Sequence, residues 1–289
     1  MNKDKKKGPL VLLTINSWGV SPLTGVENNA IRKAGVLEFK DLVSNFPSTI
    51  IKPYSDKLSE NYQVLASGVR PEKNLINNFS ISKLIDYNNL IQLKIADSEN
   101  FPLLSVIFNS QEDKLANEDW EIVGSDGFFS DIFFNIDDKI SNRLLASIKS
   151  SKYDFILANF CEAGRHALRG DFEQTVLSIK KNSINLKKIA KATLSESGTL
   201  IILGAYGLAE EIFNYNTKMP YLKRNLNPVP FLIINKDYQG RSIGFKEAPN
   251  NDISLLEPNG SFLDVAPTIL NLLNLDIPEG LEGESFLKE

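Results

Sequence analysis

The chain has 289 residues, 42% of them hydrophobic and 24% charged, with a formal net charge of -4 and one cysteine, Cys161. That is enough apolar material for one domain with a sizeable core, and a single cysteine excludes an intrachain disulfide framework, so a reducing cytoplasm is the expected compartment. The acidic balance excludes a broad nucleic-acid footprint, and no apolar stretch reaches the length of a membrane span, so neither nucleic acid nor membrane is an expected partner.

In chain order, residues 1–8 carry the lysines from Lys3 to Lys7 and read as a solvated basic tail before one domain over 9–289. Residues 9–15 form an apolar run, a buried strand that opens into the tight polar turn Asn16-Ser17-Trp18-Gly19. Helical patterning is expected roughly over 28–45. Residues 71–93 are too few for a domain and read as a helix and a connection leading to a strand near Ile91. Phe128, Phe129, Phe133 and Phe134 form a cluster that reads as core packing, with an exposed docking surface as the alternative.

A helix is expected over 138–149, then a strand over 153–160 opening onto Cys161-Glu162-Ala163-Gly164-Arg165-His166, which holds the chain's only histidine. Cys161 reads as a small buried residue; a nucleophilic role would need an activating base, and His166 is the base close in sequence. The segment 171–194 places Val176, Ile179, Ile184, Leu186 and Ile189 on a loosely amphipathic helix, with Lys180, Lys181, Lys187 and Lys188 toward water. A third apolar run, 198–203, ends in Gly204-Ala205-Tyr206-Gly207-Leu208-Ala209-Glu210-Glu211, a strand follows near Phe231, and 262–273 closes the series as a helix. Strands alternating with helices predict an α/β fold with one sheet sandwiched between helices. Polar loops at the strand exits are where such sheets place ligand sites.

These segments resemble the cofactor-independent phosphoglycerate mutases of the alkaline phosphatase superfamily. That family begins with Asp-Gly-Trp-Gly, similar to Asn16-Ser17-Trp18-Gly19, and its Gly-Asn-Ala-Ile looks like Asn28-Asn29-Ala30-Ile31. Its Asn-Phe followed by Gly-x-Phe-Glu resembles Asn159-Phe160 and Gly170-Asp171-Phe172-Glu173. Its Asp-His-Gly-Asn-Ala-Glu matches Ala205 to Glu210 without a gap, and its Asn-Pro-Val-Pro and Asp-x-Ala-Pro-Thr segments stand at Asn227 and Asp264. The resemblance implies an alkaline-phosphatase-like sheet in a single domain. The family's inserted phosphoglycerate-transferring domain has no counterpart in 71–93. The next motif, Arg-Ile-Ala-Glu-Thr-Glu-Lys-Tyr in the family, is Lys94 to Phe101 here, with Asn100 in place of its lysine.

Family members hold two Mn²⁺-class ions with aspartates, histidines and a nucleophilic serine, donors that suit such ions. By position, the first aspartate falls on Asn16 and the Asp-His pair after the third strand on Ala205 and Tyr206. The histidine before Asn-Pro-Val-Pro falls on Arg224, and the Asp and His after the second strand on Gly164 and Leu168. Ser59 matches the serine, eleven residues before Arg70 as in the family. The resemblance therefore implies no metal cofactor, because alanine, glycine and leucine donate nothing and arginine repels a cation. One rescue is open: Glu162 and His166 keep the four-residue spacing, displaced by two, and could hold one ion with Ser59 or Asn16.

The residues expected at the old site are Asn16, Ser59, Glu162, His166, Tyr206 and Arg224. Two functions remain open at this point. One is a catalytically inactive homologue, a pseudoenzyme retained as a binding, scaffold or regulatory protein, its partner a protein or a small anionic ligand at Arg224. The other is a phosphoryl- or sulfuryl-ester hydrolase or transferase with a rebuilt site, using Ser59 activated by some base or metal.

Overall fold

The computed structural model describes residues 8–22, 25–73, 79–111, 113–124, 136–214, 216–217 and 219–287. The basic tail up to residue 7 and the Phe128, Phe129, Phe133 and Phe134 cluster lie outside the described residues.

Seven strands form one mixed sheet: β1 (Leu10–Ile15), β2 (Ser48–Ile51), β3 (Gln92–Asp97), β4 (Glu118–Val123), β5 (Phe155–Phe160), β6 (Thr199–Gly204) and β7 (Val229–Ile234), ordered β2-β7-β6-β1-β5-β3-β4. β6, β1, β5, β3 and β4 run parallel, and β7 is antiparallel to both its neighbours. Every residue of β1 and β5 is buried, the continuous apolar character that a parallel strand needs when both sheet faces are covered. The covering helices are α1 (Ala30–Ala34), α2 (Leu37–Asn45), α3 (Leu58–Ser67), α4 (Ile81–Tyr87), α5 (Ile136–Lys149), α6 (Glu162–Ala167), α7 (Phe172–Ser195) and α8 (Val265–Leu272). α7 packs against α1, α2, α5 and α6 in one layer; α3 packs against α4, α8 and the π-helical turn Leu103–Ile107 in the other.

The register of the central strands sets the site. Ile15, the last residue of β1, lies opposite Phe160 of β5 and Gly204 of β6. Asn16, Cys161 and Ala205 therefore emerge side by side. Backbone bonds lock this edge: Asn16 N donates to Phe160 O at 2.9 Å and Ala205 N to Ile15 O at 2.8 Å.

The expected helix over 28–45 is two helices. Gly35 sits between them at φ 78°, a left-handed conformation that glycine adopts without steric cost, and its N–H closes α1 on Arg32 O. Sequence patterning also misses both edge strands. β2 has only four residues, and β4 carries Glu118, Asp119 and Glu121 along its length. Glu118 is there for a reason that the apolar pattern hides: fully buried Lys94 of β3 lies 2.5 Å from its carboxylate and also bonds Asn109. Burial lowers the Lys94 ammonium to about 8, with Glu118 pulling the other way. α7 is found as expected, with Lys180, Lys181, Lys187 and Lys188 exposed, although Ile184 of its apolar series is also exposed.

Candidate functional site

A relay of side-chain amides crosses the strand exits. Asn159 Nδ2 donates to Thr14 Oγ1 and to Asn16 Oδ1, both at 3.0 Å. Asn16 Nδ2 passes the chain on to Asn100 Oδ1 at 3.3 Å, and Asn100 Nδ2 donates to Asp97 Oδ1 at 2.7 Å. Asn16, where the family has its first aspartate, is thus a neutral, buried link between β1, β5 and the end of β3. Behind it the Tyr62 hydroxyl lies 2.7 Å from Thr14 Oγ1, and burial pushes that phenol's ionisation up.

Tyr206 fills the centre. It is 1% exposed, and its hydroxyl oxygen stands within clashing distance of where a Cβ on Gly164 would sit, a position also 2.8 Å from Asn16 Cβ. The three positions that by resemblance carry metal ligands, Asn16, Gly164 and Tyr206, therefore do converge, but around a phenol ring. The Arg224 guanidinium carbon stands 4.7 Å from the centroid of that ring, a cation–π stack. Burial pushes the Tyr206 hydroxyl up to about 12, with Arg224 pulling it down. Arg224 Nε is buried without a hydrogen-bond partner among the described residues.

Glu162 and His166 sit on α6, one turn apart, with Glu162 Oε2 3.5 Å from His166 Nε2. No hydrogen bond joins either to Asn16 or Ser59 among the described residues. Their polar neighbour is Arg165, whose Nη1 lies 3.3 Å from Glu162 Oε1 and whose Nη2 lies 2.7 Å from Asp97 Oδ2. Arg224, the other guanidinium that could have satisfied Glu162, is placed on Tyr206. Below this turn, fully buried Asp137 of α5 accepts from Cys161 N at 2.8 Å and from Glu162 N at 3.2 Å, fixing the strand-to-helix turn. Burial raises the Asp137 carboxyl to about 7; the Glu162 charge adds to the rise and the two backbone donors oppose it. Cys161 is fully buried, and burial lifts its thiol well above the ordinary range, so it is not poised as a nucleophile.

Ser59 is exposed in the first turn of α3. Two residues on, Asn61 Nδ2 donates to Ala205 O at 3.2 Å, so this turn borders the β6 exit. No imidazole or carboxylate is hydrogen-bonded to the Ser59 hydroxyl among the described residues.

Glu210, Asp97, Asn100, Arg165 and Asp137 were not singled out by sequence reasoning as site residues. Glu210 is fully buried and accepts from Gly19 N (3.2 Å), Leu208 N, Asn225 Nδ2 and Asn227 Nδ2 (each 2.8 Å), tying the loop after β1 to both ends of the β6–β7 connection, which carries Arg224. The signal for three of these residues was present, since Glu210 ends the ungapped match from Ala205, and Asp97 and Asn100 lie in the motif from Lys94 to Phe101.

A two-ion centre does not fit these residues. Ala205, Gly164 and Leu168 supply no donor, the Tyr206 ring takes up the space, and Arg224 lays a fixed cation over it. Among the described residues no group of three or more His, Cys, Asp or Glu side chains is placed to hold a metal ion.

Comparison with known proteins agrees with this fold. The chain is 32% identical over 242 residues to the 2,3-bisphosphoglycerate-independent phosphoglycerate mutase of Ehrlichia canis (strain Jake), covering 82% of this chain and 43% of that protein. It is 30% identical over 217 residues to the mutase of the same name from Clostridium perfringens (strain 13 / Type A), covering 73% of this chain and 39% of that one. The chain thus spans about half or less of the length of the curated relatives it matches. Among solved structures, PH0037 from Pyrococcus horikoshii aligns over 95% of this chain and 99% of its own at a TM-score of 0.62 and 9% identity. An alkaline phosphatase superfamily protein from Vibrio parahaemolyticus aligns over 98% and 70% at a TM-score of 0.62 and 14% identity. At those identities the structures speak for the fold alone, an alkaline-phosphatase-like sheet. The Metalloenzyme superfamily model matches residues 8–277, and the chain belongs to that family.

Proposed function

We propose that the chain is a catalytically inactive relative of the phosphatase-like part of the cofactor-independent phosphoglycerate mutases, retained as a binding, scaffold or regulatory protein. The observation that carries this reading is Tyr206, whose hydroxyl takes the space a side chain at position 164 would need. A serine is a weak nucleophile without an activating group, and no imidazole or carboxylate is hydrogen-bonded to Ser59 among the described residues. What the site keeps is a binding surface. The half-buried Arg224, stacked on an aromatic ring with one nitrogen unpartnered, suits a small carboxylate or phosphate, and a protein partner could present either group.

The test is elemental analysis of purified protein after incubation with Mn²⁺, Zn²⁺ and Mg²⁺ and gel filtration, beside p-nitrophenyl phosphate and p-nitrophenyl sulfate assays of wild type and Ser59→Ala. The expected result is substoichiometric metal and no turnover that depends on Ser59. Stoichiometric metal together with turnover abolished in Ser59→Ala would establish the hydrolase reading instead.

A further inference from the structure

Away from the candidate site, α1, α2, the end of the Asn16–Gly19 turn and the 3₁₀ turns around Asp252 enclose a cavity of about 350 Å³. That volume falls at the lower end of the roughly 300–1,000 Å³ range of small-molecule sites. None of Asn16, Ser59, Glu162, His166, Tyr206 and Arg224 lines it. Its floor is apolar. The Trp18 and Phe39 rings have their centroids 4.9 Å apart, Val43 and Ile253 also face the cavity, and all four side chains are buried.

Three charged residues complete the lining. Arg32, exposed on α1, donates through Nη2 to Pro22 O at 3.3 Å and to Ser254 Oγ at 3.2 Å, which holds the guanidinium across the cavity from α1 to the 3₁₀ turn. Lys40 is exposed on α2 and makes no ion pair among the described residues. Asp252 is half-buried and accepts from Ser254 N at 3.0 Å. Two cations against one carboxylate leave one net positive charge beside an apolar floor. Between the cations the wall is strained backbone: Gly35 at φ 78° is followed by Val36 at φ 27°, ψ 48°, 6% exposed. A β-branched residue seldom adopts positive φ, and such conformations persist where packing holds them, as at ligand clamps.

We propose that this cavity binds a small apolar monocarboxylate, with its ring or branched chain against Trp18 and Phe39 and its carboxylate at Arg32 and Lys40. A guanidinium fork matches a carboxylate, and the ammonium adds a second charge-assisted donor. One negative charge balances the lining, whereas a phosphate dianion leaves a charge over. The buried aromatic pair favours an apolar body and offers few partners to a sugar. This site stands whether or not Arg224 binds an anion.

Calorimetric titration of 3-phenylpropionate, phenylacetate and 4-methylpentanoate tests this, beside the neutral 3-phenylpropionamide and the dianion benzyl phosphate. The proteins are wild type, Arg32→Gln/Lys40→Gln and Arg224→Gln. Trp120→Phe, which leaves Trp18 as the one indole of two, reports occupancy by fluorescence. At least one carboxylate should bind with one equivalent and change Trp18 emission. The amide and the phosphate ester should bind roughly tenfold more weakly, and Arg32→Gln/Lys40→Gln should cost the carboxylate roughly tenfold while leaving the amide unchanged. Arg224→Gln should bind the carboxylate as wild type does. The proposal is overturned if none of the three carboxylates binds more tightly than about 1 mM, or if the amide or phosphate ester binds as well. It is equally overturned if the double variant keeps full carboxylate affinity, or if Arg224→Gln loses it. Should the double variant misfold by circular dichroism, Lys40→Gln alone decides, since it should weaken the carboxylate and spare the amide.

Discussion

Gly164 and Tyr206 are complementary halves of one filled space: the glycine has no side chain, and the tyrosine hydroxyl stands too close to its Cβ position to admit one. At the strand exits of an open α/β sheet, where this architecture keeps its ligand crevices, the crevice floor has become packed interior. A side chain at position 164 and a tyrosine at 206 therefore compete for the same space.

A double-mutant cycle should expose that coupling. Gly164→Ala places a methyl group against the Tyr206 oxygen; overpacking of this kind costs about 1–3 kcal/mol, set against about 1 kcal/mol gained by replacing a glycine inside a helix. The single variant is expected to lose stability on balance, and Gly164→Asp to lose more. In a Tyr206→Phe background the oxygen is gone and Gly164→Ala should cost less, what remains coming from the contact with Asn16 Cβ. Urea midpoints of the four proteins check this, and additive effects would mean that the two residues do not share the space.

Asp137 predicts a specific pH dependence. Its carboxyl is raised from 3.8 to about 7, chiefly by burial, so the native state holds a proton that the unfolded chain has released. Its stabilising contribution is then complete below about pH 4 and is lost as pH rises to about 7, a change on the order of 2–4 kcal/mol. Asp137→Asn should flatten the stability profile over that window while still offering one oxygen to the Cys161 and Glu162 amides. Parallel profiles for wild type and Asp137→Asn between pH 4 and pH 8 would rule this out.

Lys94 offers a third test, in the core and away from the site. It is fully buried beside Glu118, whose other oxygen accepts from Asn109 Nδ2 and Leu115 N, both at 2.9 Å. Lys94→Met alone leaves a buried carboxylate without its cation and should cost about 3–5 kcal/mol; Lys94→Met/Glu118→Gln should recover most of that loss. Guanidinium chloride unfolding of the two variants decides it, equal losses counting against an ionic origin.

What the sequence made legible follows from range. β1, β5 and β6 are continuous apolar runs that end in polar turns, so their exits followed from local pattern, while the family resemblance put Asn16, Gly164 and Tyr206 at ligand positions. Arg165 was not legible as a hub, because Asp97 and Glu99 come to it from a strand more than sixty residues away. Its partners became visible only once β3 was seated beside β5. β4 was missed because its acidic residues interrupt any apolar run, whereas Glu118 points inward to pair with Lys94. Ser59 matched a family position, but the match held no information on whether a base stands beside the hydroxyl.

Glu210 clasps the segment that carries Arg224. Its carboxylate accepts hydrogen bonds from two connections, the one after β1 and the one between β6 and β7, and its burial raises its own ionisation against the pull of those donors. Glu210→Ala leaves the Gly19 and Leu208 amides and two asparagine side chains without their acceptor. Each buried donor so orphaned costs about 1–3 kcal/mol, and water entering the gap recovers part of that. Glu210→Gln keeps one acceptor oxygen and should lose markedly less. If the clasp also positions Arg224, binding of inorganic phosphate, followed by titration calorimetry, should weaken in Glu210→Gln even where the protein remains fully folded. Unchanged phosphate binding in a folded Glu210→Gln protein would show that the clasp serves stability alone. A wild type that binds no phosphate would remove Arg224 as an anion site and leave a protein surface as its remaining use.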